Sequence, residues 1–231
     1  MKISGLIKTS LIDFPGKVAA VVFTQGCNFR CGFCHNPSLI FANKKGNFNN
    51  EDVLIYLRKR KNLLDGVVIT GGEPTIQRGL LGFIKEIKDL GLLVKLDTNG
   101  SNPAMLEAAI NLKLVDYIAM DIKANLMNYK KISGFDDTKK ITKSINLIIN
   151  SNIDYEFRTT VLPYYHNINE FLEIGKMING AERYTIQGFR SKITLDNNLK
   201  NAPSFSQEDL LKISRLISPY VKKVVIHNNL N

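Results

Sequence analysis

Val67-Val68-Ile69-Thr70-Gly71-Gly72-Glu73-Pro74, a helical stretch from Gly79 to Leu90, and then Leu93-Val94-Lys95-Leu96-Asp97 decide the architecture. The first run is short, apolar and β-branched, and it stops at two glycines and a proline, as a buried strand does where it meets a turn. Between the two runs, Leu80, Phe83, Ile84 and Ile87 recur on one face of a predicted helix. A strand, a helix and a second strand of this length make one parallel unit with a right-handed crossover. The cadence repeats along the chain. Strands are predicted at 18–24, 67–70, 93–97, 117–121, 154–162, 183–187 and 224–226. Helices are predicted over 51–64 behind an Asn50 cap, 79–90, 103–112 with Pro103 in the first turn, 139–150 and 168–178. A last helix starts at a Ser206 cap. Six principal β/α units result, so the expected class is α/β with parallel strands. Six are too few for a closed eight-stranded barrel, which leaves an open partial barrel or a doubly wound sheet. No composition shift marks a second domain, so residues 1–231 are expected to form one, with polar 43–50 as a surface loop.

Composition narrows the setting. Of 231 residues, 44% are hydrophobic, enough for a packed core. No run approaches the roughly 20 apolar residues of a membrane span. Met1 to Pro15 does not read as a signal peptide, so a cytoplasmic protein with no membrane association is expected. The net charge of +10 comes from 31 basic and 21 acidic residues. Its local runs, Arg58 to Lys61, Lys130-Lys131, Lys139-Lys140 and Lys222-Lys223, read as solvated faces. They lack the interleaved aromatics of a nucleic-acid platform, so no nucleic-acid partner is expected.

All three cysteines lie in Cys27-Asn28-Phe29-Arg30-Cys31-Gly32-Phe33-Cys34, just after the strand at 18–24. An odd, clustered set is a poor disulfide framework and a good ligand set. Three thiolates on one loop can each take one iron of a cubane cluster, leaving the fourth iron open to a substrate. Other readings stand beside this one. Cys31 to His35 spells a haem-attachment pattern, Cys31 and Cys34 form a redox C-x-x-C, and His35 makes a Cys₃His zinc set possible.

Further polar groups end the other strands. Gly71-Gly72-Glu73 follows the second strand, where glycines let the backbone approach a ligand and a plain tight turn is the alternative. Asp97 ends the third strand. Asp121 and Lys123 end the fourth and share a face, so they serve a ligand or pair with each other. Arg158 is a charge inside the fifth strand, which must be paired or functional. Arg190 lies beyond the sixth. In parallel β/α folds the carboxyl ends of the strands form the ligand rim. These groups share that rim with the cysteines, and they suit a zwitterionic, ribose-bearing ligand.

The cysteine motif, Gly71-Gly72-Glu73-Pro74 and Asp121-Ile122-Lys123 together resemble the radical S-adenosylmethionine superfamily. Thr9-Ser10-Leu11-Ile12-Asp13-Phe14-Pro15-Gly16-Lys17 and the stretch from Phe23 to Pro37 are similar to activating enzymes of glycyl-radical enzymes, of the anaerobic ribonucleoside-triphosphate reductase and pyruvate formate-lyase type. The resemblance implies a partial (β/α)₆ barrel and one 4Fe–4S cluster on Cys27, Cys31 and Cys34, with no auxiliary cluster. It implies that the amino and carboxylate groups of S-adenosylmethionine chelate the fourth iron. Phe33 would pack near adenine, with His35 in the ligand-binding set, and Gly71, Gly72 and Glu73 would meet the methionyl amino group. Asp97, Asp121 and Lys123 would serve the amino group, ribose and carboxylate, with Arg158 close by. Relatives carry a histidine where this chain has Arg190, which can grip a carboxylate. The implied chemistry is one-electron cleavage to a 5′-deoxyadenosyl radical, fed by a flavodoxin or ferredoxin, and hydrogen abstraction from a partner's glycine. Two alternatives are a radical enzyme acting on a small molecule, such as a modified-base precursor, and a non-catalytic metal-binding protein with a basic surface.

Overall fold

The computed structural model describes residues 1–41 and 46–227. Its strands are β1 (Ile3–Ser10), β2 (Ala19–Thr24), β3 (Gly66–Gly71), β4 (Leu93–Thr98), β5 (Tyr117–Asp121), β6 (Asp154–Val161), β7 (Tyr184–Gly188) and β8 (Val224–His227). Its helices are α1 (Asn50–Arg60), α2 (Leu80–Asp89), α3 (Pro103–Asn111), α4 (Tyr129–Ser133), α5 (Thr138–Ile149), α6 (Ile168–Met177) and α7 (Gln207–Ile217). The strands form one sheet in chain order, β1 through β8. β1 is antiparallel to β2, and every other neighbouring pair is parallel. A doubly wound sheet reverses its order at a switch point. This sheet never reverses, and its edge strands β1 and β8 do not pair among the described residues. The fold is therefore the open partial barrel.

Alternation along the strands sorts side chains into two environments. Val22, Ile69, Leu96, Ile118, Phe157 and Ile186 point outward and pack beneath the helices in the main core. Ala19, Val21, Val68, Tyr117 and Ala119 point inward at the amino-terminal end of the barrel. There they meet Phe14 from the β1–β2 connection, whose ring centroid lies 6.1 Å from that of Tyr117. Burying a phenylalanine in this way contributes about 2–3 kcal/mol. Inward positions further along each strand turn polar: Lys95 and Asp97 on β4, Asp121 on β5, Glu156 and Arg158 on β6, Thr185 and Gln187 on β7.

Three details differ from the sequence expectation. β1 was not anticipated, because Ile3–Ser10 carries Gly5 and lacks clean alternation. Pairing with β2 and a bridge from Phe48 to Ile3 hold it instead. The short α4 was missed for a similar reason: five residues are too few to show a period. The α1 cap is Asn49 rather than Asn50. The Asn49 side chain accepts from the Asp52 amide at 2.9 Å and Asp52 accepts from the Asn49 amide at 2.8 Å, a reciprocal capping box. That helix ends at Arg60. Of the polar loop at 43–50, residues 43–45 lie outside the described set. The basic runs are exposed as expected, with Arg58, Lys130, Lys140 and Lys222 in surface ion pairs.

Candidate active site

The cysteine loop leaves β2 and lies over the carboxyl ends of the strands. A cavity of about 220 Å³ opens there, lined by Cys27, Cys31, Cys34, Phe33 and His35 and by groups from β3 through β7. The approach of loop to sheet is set by backbone. The Gly72 amide donates to Thr24 O at 2.9 Å and the Glu73 amide to Gly26 O at 2.8 Å. A Cβ on Gly72 would fall 2.0 Å from Gly26 O, and Gly26 itself has φ +101°. Only glycine fits at these two positions. The turn reading of Gly71-Gly72 and the ligand reading are thus the same geometry, since both glycines also line the cavity.

Glu73 is buried, and burial raises its carboxyl pKa. Opposing that, Oε1 accepts from the Thr75 amide and the Thr75 and Thr98 hydroxyls, while Oε2 accepts from the Asn99 amide at 2.7 Å. It braces the end of β3 to the end of β4. Asn99 continues the brace by donating Nδ2–H to Asn28 Oδ1 at 3.0 Å, inside the cysteine loop.

The inward charges make one row. Lys95 Nζ sits 2.6 Å from Asp97 Oδ1. Arg158 reaches Asp97 Oδ2 at 3.3 Å and Asp121 Oδ1 at 2.8 Å, and Lys123 Nζ lies 2.9 Å from Asp121 Oδ2. Burial alone would raise both carboxyl pKa values. Arg158, helped by Lys95 at Asp97 and by Lys123 at Asp121, outweighs it and lowers both, holding Asp121 well below the usual carboxylate range. Asp121 and Lys123 therefore pair, as the structural reading of that motif held, and both also line the cavity. Lys95 was not singled out from sequence. The rule that flagged Arg158, a charge inside an apolar strand, applies to it equally.

Cys27, Cys31 and Cys34 are free thiols, and no two of them form a disulfide. Burial pushes the Cys27 thiol up to about 11 and the Cys31 thiol up to about 12. Thiols so placed ionise when a metal binds them. The Phe29 amide already donates to Cys27 Sγ at 3.3 Å, a hydrogen bond suited to a liganded thiolate. Among the described residues, no three His, Cys, Asp or Glu side chains converge as a single-ion site requires. His35 is engaged elsewhere: its Nε2 accepts from the Arg190 amide at 3.2 Å and its ring stacks on Phe189 at 5.7 Å. That weighs against Cys₃His zinc. Three thiolates that each bind a different iron need not converge on one point, so the donor set suits a cubane cluster.

Arg190 is placed differently from the rest. It lines an adjoining cavity of about 720 Å³ with His35, Asn36, Thr160 and Gln187, and is not in the lining of the cysteine cavity. β7 ends at Gly188, so Gln187 is the residue of that strand that faces the cysteines. Thr98, Asn99, Thr160 and Gln187 join the lining without having been singled out as ligand residues.

Residues 21–178 match the model of the Radical SAM superfamily. The chain belongs to that superfamily. Within it, the chain is 34% identical over 97% of its length, and 95% of the relative's, to a protein of Methanocaldococcus jannaschii named as a candidate glycyl-radical enzyme activating enzyme. It is 28% identical to the pyruvate formate-lyase-activating enzyme of Clostridium pasteurianum, over 94% of this chain and 96% of that one. Among solved structures it is similar to Streptococcus suis SuiB bound to S-adenosylmethionine, with TM-score 0.66 and 15% identity. That match covers 90% of this chain and 49% of SuiB, so the chain spans about half that protein's length. A domain of the pyruvate-formate lyase-activating enzyme from Bacteroides vulgatus gives TM-score 0.52 at 14% identity, covering 70% of this chain and 98% of that one. The family implies a 4Fe–4S cluster and S-adenosylmethionine, and the fold agrees with that of its members. No helix among the described residues is long and apolar enough to cross a membrane.

Proposed function

We propose that this chain is a single-domain, cytoplasmic activating enzyme that installs a glycyl radical on a partner enzyme of the anaerobic ribonucleoside-triphosphate reductase or pyruvate formate-lyase type. One observation carries the reading: the three cysteines and the charged row from Asp97 to Lys123 line one cavity at the carboxyl ends of the strands. The full-length likeness to named activating enzymes supports the partner class.

Cys27, Cys31 and Cys34 would hold one 4Fe–4S cluster. With S-adenosylmethionine bound, that cluster supplies one-electron cleavage of the sulfonium to a 5′-deoxyadenosyl radical, using an electron from a flavodoxin or ferredoxin type donor. The chain's own residues bind, orient and exclude water. Phe33, buried and flanked by Tyr165 at 5.9 Å, offers an apolar face for adenine. Lys123 offers an ammonium for the carboxylate. Asp97 has both oxygens taken by Lys95 and Arg158. It fixes Arg158, as Asp121 does between Arg158 and Lys123, and from within that row Asp97 and Asp121 would serve the amino and ribose groups, with Gly71, Gly72 and Glu73 at the amino group. No side chain needs to move a proton.

Anaerobically reconstituted protein with dithionite is expected to convert S-adenosylmethionine to methionine and 5′-deoxyadenosine. With the partner added, a glycine-centred doublet should appear by electron paramagnetic resonance. An intact sulfonium in the presence of a fully loaded cluster overturns the proposal. A small-molecule product without a protein radical favours the alternative radical chemistry.

A further inference from the structure

We propose that His166 is a positioning residue that fixes Lys123 at the ligand cavity by donating its Nε2–H to the Lys123 backbone carbonyl. The proposal rests on the reading of Lys123 as a ligand-facing residue.

Lys123 lies two residues past the end of β5, outside the paired register of the sheet. A buried carbonyl left without a donor is destabilising. His166 supplies one: its Nε2 is 3.0 Å from Lys123 O. Its Nδ1 accepts from the Leu162 amide at 3.3 Å. Because Nδ1 is the acceptor, the proton of the neutral ring sits on Nε2, the tautomer the Lys123 contact needs. The ring is 2% exposed, stacked on Phe171 at 5.8 Å and set edge-on to Phe33 at 6.5 Å. It thus touches both the aromatic of the cysteine loop and the backbone of the lysine whose Nζ lies 5.9 Å from that aromatic's centroid.

Glu170 extends the brace. Buried in the first turn of α6, it accepts from the Asn125 amide, from Asn125 Nδ2 at 3.0 Å and from Asn128 Nδ2 at 2.6 Å. The chain just after Lys123 is therefore tied to the same turn of structure as its carbonyl. Pro163-Tyr164-Tyr165-His166-Asn167 reads as an ordinary loop before a capped helix. Here it is the clamp that sets where β5 delivers its lysine.

The two ring nitrogens allow a crossed test. Gln places an amide donor near Nε2, while Asn places an acceptor near Nδ1 and no donor near Lys123. S-adenosylmethionine binding to anaerobically reconstituted protein is measured by calorimetry, alongside thermal unfolding. His166→Asn is expected to weaken binding about tenfold, the size of one hydrogen bond's worth of misplacement. His166→Gln should stay within about threefold of wild type, with thermal midpoints lowered alike in both. Equal weakening in both variants, or unchanged binding in both, overturns the proposal. If His166→Asn does not accumulate as folded protein, His166→Gln alone decides: near-wild-type binding supports the clamp and a tenfold loss overturns it. Wild-type protein that binds no S-adenosylmethionine fails the functional reading and this proposal together; wild-type binding with both variants unchanged fails this proposal alone.

Discussion

The two ends of the barrel interior are lined by inward positions of one sheet, yet they share almost no chemistry: β2, β3 and β5 close the first, and β4, β5 and β6 supply the charges of the second. At the amino-terminal end Ala19, Val21, Val68, Tyr117 and Ala119 close around Phe14. A few residues along, the inward positions hold Lys95, Asp97, Asp121 and Arg158 beneath the cysteine loop. The first end gains stability from apolar burial. The second spends it, because buried charges cost desolvation that their partners offset only when every pairing is in place. The difference shows that the fold's energy and its chemistry occupy separate layers of one interior, and that they should respond separately to mutation.

The largest effect should come from the chemical end. Cys31→Ala should reduce bound iron and bring 5′-deoxyadenosine formation below detection, with far-ultraviolet circular dichroism unchanged. A folded variant that still cleaves the sulfonium would remove the cysteine loop from the mechanism. Next, Phe14→Ala empties the plug and should cost about 3–5 kcal/mol in urea unfolding. S-adenosylmethionine affinity should stay within about twofold, because Phe14 packs at the apolar end and is not part of the cysteine cavity's lining. A parallel loss of affinity would mean that the two layers are coupled.

The smallest effect is pH dependence. Asp97 and Asp121 have folded pKa values below the ordinary 3.8. As pH falls, the unfolded chain therefore takes up protons first. The stability these groups contribute is complete above the ordinary value and is lost progressively as pH drops through it toward the lower folded values. Urea midpoints between pH 6 and pH 3 should show this slope, and Asp121→Asn should flatten it. An unchanged slope in that variant would place the acid sensitivity elsewhere.

Much of this arrangement was legible before any coordinates. The cysteine spacing, the glycine pair and the charges at strand ends each broke a local pattern, and pattern breaks are what a sequence displays. Parallel topology then put them on one rim. What was not legible depended on partners distant in the chain. Nothing in Ile3–Ser10 announces β1 until β2 pairs with it. Nothing in the sequence around Glu73 shows that Thr98 and Asn99 engage its carboxylate. Nor does the sequence show that Arg190, past the end of β7 at Gly188, lines a neighbouring cavity that shares His35, Thr160 and Gln187 with the cysteine cavity. His166 hides for the opposite reason: it breaks no pattern, and only the structure shows that its ring reaches the carbonyl of a residue 43 positions away.

The contact between Gly72 and Gly26 has a consequence for descent. Main-chain hydrogen bonds tie the cysteine loop to the ends of β2 and β3, so its seat on the sheet is set by backbone as well as by Phe29 and Phe33, which join the main core. Core side chains away from Phe29 and Phe33 are open to exchange in compensating, volume-conserving sets. What descendants of this chain cannot exchange is a pair of hydrogen atoms, the side chains of two glycines, where any added carbon would fall on a carbonyl or force an unfavourable backbone. The smallest groups in the molecule are thus the ones that inheritance has the least freedom to alter.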